Sequence, residues 1–532
     1  MAWYHHLLRN PFVPATSESP AAVPGPAPDP ASPQVTRLHP ARVRSFAAGT
    51  PSRLTAGFVT ANSSLDADLL VSLNTLRARS RSLTQNNPYG VKYLAMVSAN
   101  VVGHQGFTLQ ARCIETKYLK TKAQLVTTPD NIANRAIEGA FAAWSSRGVC
   151  EVTGKHSFSD LCRLFARTVA GDGEVLVRRL RGKSLNVFGY ALQILDIDRL
   201  EVGYNAQMPN GNIVRMSIEI DTYGRPVAYW LRSTHPNDSG PGVGVGVQRE
   251  RVLAQDIFHC FIATRPEQRR GFPWITAAIE SLYHLGELDQ SALVAARKGA
   301  DTLGFFVSPD GTPPNVDSED DAPIEVSVAG TFDTLPEGYD LRAYESQYPS
   351  AVYGEYVKAN LRRVASAIGV SYNGLANDLE GVNFSSIRAG LLEEREQWMQ
   401  IQDWMIDAFL IPVYRDWLQM ALGIGAVVME NGSALPAAKY DKFAAHTWQG
   451  RRWPWVDPLK DIEAAISAVN AGLDSPQRQA AEQGRDIEDV LDDIAAFQAM
   501  VKEKGVVLST AVVPPKFQPA DSSAPNTPNA NQ

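Results

Sequence analysis

The chain has 532 residues, of which 44% are hydrophobic and 20% charged, and its formal net charge is −7. This is the composition of a globular protein, and the length predicts roughly two to four structural units. The negative charge argues against a protein that grips nucleic acid by its phosphates, but not against one past which DNA slides.

The spacing of the cysteines and the hydropathy of the chain indicate which compartment the protein occupies and whether it spans a membrane. No C-x-x-C pair occurs, which favours free thiols in a reducing compartment over a disulfide framework. The four cysteines are Cys113, Cys150, Cys162 and Cys260. No signal peptide is predicted at the start, and the most apolar stretch, residues 421–429, is about half as long as a membrane helix. We therefore expect a soluble protein without a membrane partner.

The first ordered elements are predicted to be helices. Residues 1–57 are rich in Pro, Ala and Ser, so we expect a flexible arm there, and residues 505–532 predict a disordered tail. Helical patterning runs over residues 65–85 and again over residues 89–102, after Pro88 and up to Gly103.

Strand patterning begins at Glu174. The β-rich runs are residues 175–177, 191–195, 213–220 and 227–231. Tyr223 and Gly224 separate the last two runs and indicate a hairpin.

Helices return at Pro273. One stripe of apolar residues marks a helix that reaches about residue 300: Ile275, Ile279, Leu282, Leu285 and Leu293. A β-rich insert at residues 303–344 and a second helix at residues 351–368 follow.

The remaining chain predicts a long helix and three shorter ones. Ser385 or Ser386 is expected to cap the long helix, and Pro412 to kink or restart it. Its core face is predicted to be Leu391, Trp398, Ile401, Met405 and Ala408. Further on, caps are predicted at Asp457, Ser475 and Asp486, and stops at Gly472 and Gly484.

Catalytic motifs receive little support from the sequence. The nearest phosphate-loop match, residues 148–157, has one residue too many between its glycines, and His156 replaces the magnesium-binding hydroxyl. His259 and Cys260 lie in an apolar run, where a packed strand is favoured over a metal site. We therefore expect no catalytic residue, no cofactor and no metal ion.

Two other polar clusters leave alternatives open. The acidic runs 317–321 and 393–396 are more typical of solvated faces than of ion sites. Aromatic residues beside Arg451 and Arg452 fit either base stacking or, as we favour, the anchoring of one domain on another. These aromatic residues are Trp448, Trp453 and Trp455.

A series of phrases, taken in order, resembles the lambda-type family of phage portal proteins over residues 65–504. The phrases are Arg79–Ser80–Arg81, Asn86–Asn87–Pro88–Tyr89, residues 100–103, 173–176 and 221–230, His259, and residues 265–274, 383–388 and 455–458. Phe384 stands where Tyr is expected, and Gly90 where Ala is commoner.

The resemblance implies an α+β, predominantly helical portal fold, with a wing, a helical stem, a clip and a C-terminal helical crown. The implied parts are the arm (1–57), wing (58–272), stem helix (273–302), clip (303–344), second stem helix (345–368), tunnel loop (369–384), long kinked wing helix with the segment that follows it (385–455), crown (456–504) and tail (505–532).

The resemblance further implies a ring of about twelve copies at one capsid vertex, through which double-stranded DNA is packaged and ejected. The implied partners are the terminase large subunit, the major capsid and scaffold proteins, and the head-completion or tail adaptor proteins. Such a protein assembles in the host cytoplasm and belongs to the virion.

The implied tunnel loop contains no Lys or Arg, so phosphates are expected to slide past it without being held. Its channel-lining residues are expected to be Tyr372, Asn373, Asn377, Asp378, Glu380 and Asn383. A surface loop with turn-forming residues remains an alternative for this segment. For the whole chain the alternatives are a ring-forming connector that does not translocate DNA and a packaging ATPase or nuclease.

Overall fold

The structure, a computed structural model, describes Arg53, Gly57 and residues 59–119, 124–238, 248–301, 304–307, 340–343, 352–380, 384–453, 458–483 and 485–504. The chain divides into two units, Met1–Asn62 and Ser63–Gln532. The second unit combines helices with antiparallel sheets, which confirms the expected α+β class. The arm expected at residues 1–57 (Arg53 and Gly57 apart) and the tail expected at 505–532 lie outside the described residues. Within the described ranges, no helix is long and apolar enough to span a membrane.

Two adjoining helices open the second unit, as predicted. They are α1 (Leu65–Asn86) and α2 (Pro88–Val97). The side chain of Asn87 caps α2 by accepting the N–H groups of Tyr89 and Gly90. Helix α2 continues as a π-helical turn, Ser98–Val102, which ends at Gly103 with φ 73°. The predicted helix is therefore correct in extent, but its last turn is wider than an α-helical one.

Three strands and two helices follow. They are β1 (Thr108–Ala111), β2 (Ile114–Leu119), β3 (Gln124–Pro129), α3 (Asn131–Trp144) and α4 (Phe158–Asp172). Ser157 and Asp160 form a capping box at the start of α4. Ser157 ends the near-match to a phosphate loop, so this hydroxyl serves a helix start, and the preceding residues connect α3 to α4.

Two antiparallel sheets form the central β region. Their strands are β4 (Val175–Arg181), β5 (Tyr190–Leu195), β6 (Ala206–Gln207), β7 (Ile213–Arg215), β8 (Ile218–Ile220), β9 (Pro226–Arg232), β10 (Arg249–Leu253) and β11 (Ile257–Cys260). The strand orders are β11-β4-β5 in one sheet and β10-β9-β8-β7-β6 in the other. The predicted hairpin around Gly224 is confirmed, since β8 pairs antiparallel with β9.

The prediction of one strand over residues 213–220 was wrong. Met216 and Ser217 have positive φ angles of 47° and 67°, and Arg215 pairs directly with Ile218. The run is therefore a hairpin with a two-residue turn. The sequence concealed it because neither turn residue is the Gly, Asn or Asp that usually adopts this conformation.

A helix, a strand pair and two more helices occupy the next part of the chain. They are α5 (Ile279–Asp301), β12 (Gly304–Val307), β13 (Asp340–Ala343), α6 (Tyr353–Ile368) and α7 (Tyr372–Ala376). Strands β12 and β13 pair antiparallel, in agreement with the predicted β-rich insert. Of the predicted apolar stripe, four residues are buried, but Leu293 is 71% exposed.

A long, interrupted helix comes next. Its parts are α8 (Phe384–Met405), a π-helical turn (Ile406–Leu410) and α9 (Ile411–Ile424), followed by α10 (Tyr440–Phe443) and β14 (His446–Gln449). The expected cap at Ser385 or Ser386 was wrong, because α8 already begins at Phe384. The interruption expected at Pro412 is confirmed: the π-helical turn precedes it, and Pro412 lies in the first turn of α9, where its missing N–H costs little.

Three helices end the described chain: α11 (Pro458–Asn470), α12 (Pro476–Glu482) and α13 (Ile487–Lys504). Ser475 caps α12 by accepting the N–H of Arg478, and Asp486 accepts the N–H of Glu488 at the start of α13. Gly472 has the expected positive φ, 72°. The cap at Asp457 and the stop at Gly484 lie outside the described residues.

An aromatic core joins α3, α9 and β14. The rings of Phe141 and Trp417 meet edge to face with centroids 5.0 Å apart, and Phe141 and Trp448 do so at 5.6 Å. Strand β14 pairs with β1, which fixes Trp448 in this core. All four cysteines are buried and free, as predicted.

A buried ionic cluster lies between α1, the β region and the segment before α5. Glu174, fully buried, accepts hydrogen bonds from Arg77, from Arg270 Nε at 2.8 Å and from the Gly271 N–H at 2.8 Å. His259 Nε2 lies 2.7 Å from the same carboxylate. His259 is thus a packed residue of β11, as favoured from the sequence.

The remaining guanidinium nitrogens of Arg270 are also used. Arg270 donates to the carbonyl oxygens of Met216, at 3.0 Å, and Leu200, at 2.9 Å. Although burial opposes it, Arg270 and Arg77 hold the pKa of Glu174 well below its usual value. The carboxylate therefore stays charged because it is paired on both sides, as a buried charge requires.

Replacing Glu174 with Gln is expected to lower the free energy of unfolding by roughly 3–5 kcal/mol, because two buried guanidinium groups lose their counter-charge. The midpoint of urea denaturation measures the change. Glu250→Gln is the matched control. The Glu250 side chain is 52% exposed and that of its partner Arg178 28% exposed, so their ion pair contributes little. Equal midpoints for both variants would contradict the role given to Glu174.

Burial lowers the pKa of His259, and the nearby Glu174 offsets this only in part. The unfolded chain then binds the proton more tightly, so stability is expected to fall as the pH drops through about 6.5, the ordinary pKa of histidine. His259→Gln should flatten the dependence of the urea midpoint on pH between about 7.5 and 5.5. The exposed His104 provides the control, His104→Gln. A slope that His259→Gln leaves unchanged would refute this assignment.

Candidate functional site

The segment between α6 and α8 contains the residues expected to line a channel. It begins at Gly369, which ends α6 with φ 69°, and Ser371 caps the single helical turn α7. Asn377 then adopts a left-handed conformation with φ 53°. The segment is therefore partly helical and not a simple loop. Residues 381–383, and with them Asn383, lie outside the described residues.

Tyr372 and Asp378 are joined across this turn. The Tyr372 hydroxyl donates to Asp378 Oδ2 at 2.7 Å, and Arg362 of α6 lies 5.3 Å from the centre of the Tyr372 ring. Burial and this hydrogen bond raise the pKa of Tyr372 to about 12. The same hydrogen bond holds the pKa of Asp378 below its usual value.

Cations from neighbouring helices contact the polar residues of the segment. Lys358 Nζ lies 3.3 Å from Glu380 Oε2 and 3.9 Å from Asp378 Oδ2. Lys92 of α2 donates to Asn377 Oδ1 at 3.0 Å. The segment itself has no Lys or Arg, but its acidic groups are paired. Sequence reasoning missed these cations because they lie on other helices, 20 or more residues away.

Asn373 lies on the inner side of the segment. It lines a cleft of about 620 Å³ together with Leu379, Trp398 and Trp453. Leu375 of α7 is buried and fixes the turn against its neighbours. Five of the six expected residues thus lie in one described segment, held at α7 by burial and at Glu380 by an exposed ion pair.

The other polar clusters have structural roles. Glu394, from the acidic run 393–396, accepts hydrogen bonds from the Ser371 N–H at 3.3 Å and from Trp398 Nε1 at 3.1 Å. Trp453 Nε1 donates to Asn100 Oδ1 at 3.3 Å. These contacts support anchoring over base stacking. Trp455 and the acidic run 317–321 lie outside the described residues.

One group of potential metal ligands occurs among the described residues: Asp196, Asp198 and His235. Arg81 already fills its centre, with Nη1 2.5 Å from Asp198 Oδ2 and Nη2 3.4 Å from Asp196 Oδ1. His235 Nε2 lies 3.2 Å from Asp198. The two carboxylates are therefore engaged by a guanidinium group, which does not favour a cation there.

Comparison with known proteins gives a consistent result. Residues 51–402 match the model of a family described as phage portal protein, lambda family. A probable portal protein of Halomonas phage phiHAP-1 is 34% identical over 481 residues, which are 89% of this chain and 90% of the relative.

More distant relatives carry the same description. The portal protein of Escherichia phage N15 is 22% identical over 86% of this chain and 89% of its own length. Portal protein B of Escherichia phage lambda is 21% identical over 86% of this chain and 88% of its own length. Among solved structures, a chain from the neck of an empty gene transfer agent particle matches with a TM-score of 0.40 and 13% identity, over 78% of this chain and 94% of that chain.

Proposed function

This chain belongs to the lambda family of phage portal proteins, and we propose that copies of it form the ring at one capsid vertex through which double-stranded DNA is packaged and ejected. The observation that carries the proposal is the match of the family model to residues 51–402, together with a relative 34% identical over 89% of the chain. The expectation of a structural protein, and not an enzyme, agrees with this family.

Exposed apolar side chains on α5, on α6 and immediately before α6 support a ring. Leu293 is 71% exposed in the single subunit, Val352 71% and Tyr356 57%. A contiguous interface between copies would cover such side chains, and one interface repeated around an axis closes a ring. The exposure of Leu293, which the apolar stripe placed in a core, is explained if its partner is another subunit.

We also propose which part of a portal subunit each element forms, following the order of parts that the family resemblance implies. We assign α5 and α6 to the stem, the β12–β13 pair between them to the clip, and α11, α12 and α13 to the crown. The elements between α1 and β11, with α8 and α9, would form the wing. The clip would dock the terminase large subunit during packaging and head-completion or tail adaptor proteins afterwards.

We also propose where the ring assembles and where it remains. The wing would contact the major capsid and scaffold proteins while the ring assembles in the host cytoplasm. The finished ring, of about twelve copies, would remain in the virion at the portal vertex.

The segment at residues 369–384 would line the channel as the tunnel loop. Its residues are neutral or acidic, and its two described acids are paired with Lys358. A segment without Lys or Arg of its own makes few strong contacts with phosphates, so DNA would slide past it. An image of the ring with DNA distinguishes this channel surface from the alternative, a surface loop.

Negative-stain electron microscopy of the purified full-length chain tests the ring. We expect turbine-shaped particles with a continuous central channel, because a heterologous interface closes by rotation. A plain tube would favour a connector without a role in DNA translocation. A monomer at micromolar concentration would contradict the proposal.

The sliding surface is tested by replacing Asp378 and Glu380 with Lys in the same chain. The new ammonium groups are expected to hold phosphates, so packaging in vitro should slow several-fold or stall, most strongly at low salt. The control with the same change of charge is Glu430→Lys with Asp441→Lys, at exposed positions outside the segment. Packaging at the original rate by the first variant would refute the sliding surface.

A further inference from the structure

Lys358 of α6 faces a group of three carboxylates. Its Nζ lies 3.3 Å from Glu380, 3.9 Å from Asp378 and 4.0 Å from Glu355. Two of these acids belong to the segment after α7, so a single ammonium group joins that segment to α6. The hydrogen bond to Glu380 raises the pKa of Lys358, which stays charged at neutral pH.

The two ends of the segment are held differently. At α7, Leu375 is buried and the Ser371 hydroxyl caps the turn. At the other end, Leu379 is 67% exposed and the Glu380 side chain 83% exposed. The described contacts at this end are polar. The ion pair of Lys358 with Glu380 is the one nearest to the end of the described part of the segment. Asp378 is in addition held by the Tyr372 hydroxyl and accepts the Glu380 N–H at 3.0 Å. The exposed ion pair is therefore the contact that holds the Glu380 side chain against α6.

We propose that Lys358 is the positioning residue of the tunnel loop, and that it holds Asp378 and Glu380 against α6 and so sets how residues 377–380 face the channel. That they face DNA rests on the proposed function, whereas the positioning concerns this chain alone. The pairing works in both directions. The carboxylates also occupy the ammonium group, so that it is not free to hold a passing phosphate.

In this proposal Asp378 and Glu380 act through their contact with Lys358, and not through their negative charge alone. If Asp378 and Glu380 act only through their negative charge, the cation on α6 is incidental and its removal changes nothing in the segment. If they act through Lys358, removing the cation loosens residues 377–380, although both acids and the hydrogen bonds of Asn377 with Lys92 and of Asp378 with Tyr372 are still present. The two views therefore differ in what happens when Lys358 alone is changed.

Amide hydrogen exchange of the assembled full-length protein measures the positioning directly. Lys358→Met should raise exchange at residues 377–380 about two- to fivefold, the range expected when an exposed ion pair is lost. Lys358→Arg keeps the charge and should stay close to the original rate. Lys155→Met, at an exposed lysine elsewhere, is the matched control.

Salt and charge exchange distinguish an ion pair from lost packing of the lysine stem. Raising the salt from about 0.05 M to about 0.5 M should increase exchange in the original chain but not in Lys358→Met, because screening removes the same contact. Lys358→Glu should increase exchange further by repulsion, and adding Glu380→Lys should recover most of the loss. Unchanged exchange in both Lys358→Met and Lys358→Glu would overturn the proposal, as would a Lys358→Met rate that depends on salt like the original.

Packaging in vitro by the same rings separates this inference from the proposed function. Slower packaging by Lys358→Met, recovered by Lys358→Arg, supports positioning within a channel. Increased exchange with packaging at the original rate would leave the positioning intact and remove the segment from the DNA path. In that case the channel assignment fails and the role of Lys358 in the fold stands.

Discussion

A single buried carboxylate, Glu174, holds together three parts of the chain that are distant in sequence. Arg77 lies 97 residues before it and Arg270 96 residues after it, and both guanidinium groups bind its oxygens. Through them, α1, the β region and the segment that leads into α5 share one point of attachment. An unpaired buried charge is very unfavourable. Displacing any one of these three parts would leave such a charge, so the cluster favours the correct placement of all three together.

The backbone around Glu174 is shaped for this contact. Gly173 has φ 91°, and a Cβ there would overlap the backbone of Phe272. A Cβ on Gly271 would overlap the carbonyl oxygen of Gly173. Two glycines thus let the chain segments approach closely enough for the Gly271 N–H to reach the carboxylate. The cluster depends on backbone contact as much as on charge.

Several helix boundaries with a local sequence signal were predicted correctly, but the cap at Ser385 or Ser386 was wrong although its signal was local too. The predicted helix starts at Pro88, Ser475 and Asp486, the ends at Gly103 and Gly472, and the interruption near Pro412 were confirmed. The turn at Met216 and Ser217 was missed because those residues rarely take positive φ. The ionic cluster and the contacts of Lys358 were missed because each joins residues from separate elements. The signal was nevertheless present: the phrases that resembled the portal family include Glu174, His259 and Arg270, which the fold brings to one point.

Ion pairs serve two purposes in this chain, and the burial of each pair determines which purpose it serves. Glu174 and its arginines are shielded from water, so their pairing is strong, insensitive to salt and suited to a fixed frame. The pairing of Lys358 with Glu380 is exposed, so it is weak, screened by salt and easily broken and remade. In the proposed ring, a subunit fixed at a capsid vertex would use the first kind of pairing, and a segment past which DNA moves would use the second. The Glu174 cluster lies at the segment that leads into α5, and the Lys358 cluster lies beside the N-terminal half of α6. In the proposed ring, the first would fix the stem to the wing and the second would hold the segment that faces the channel.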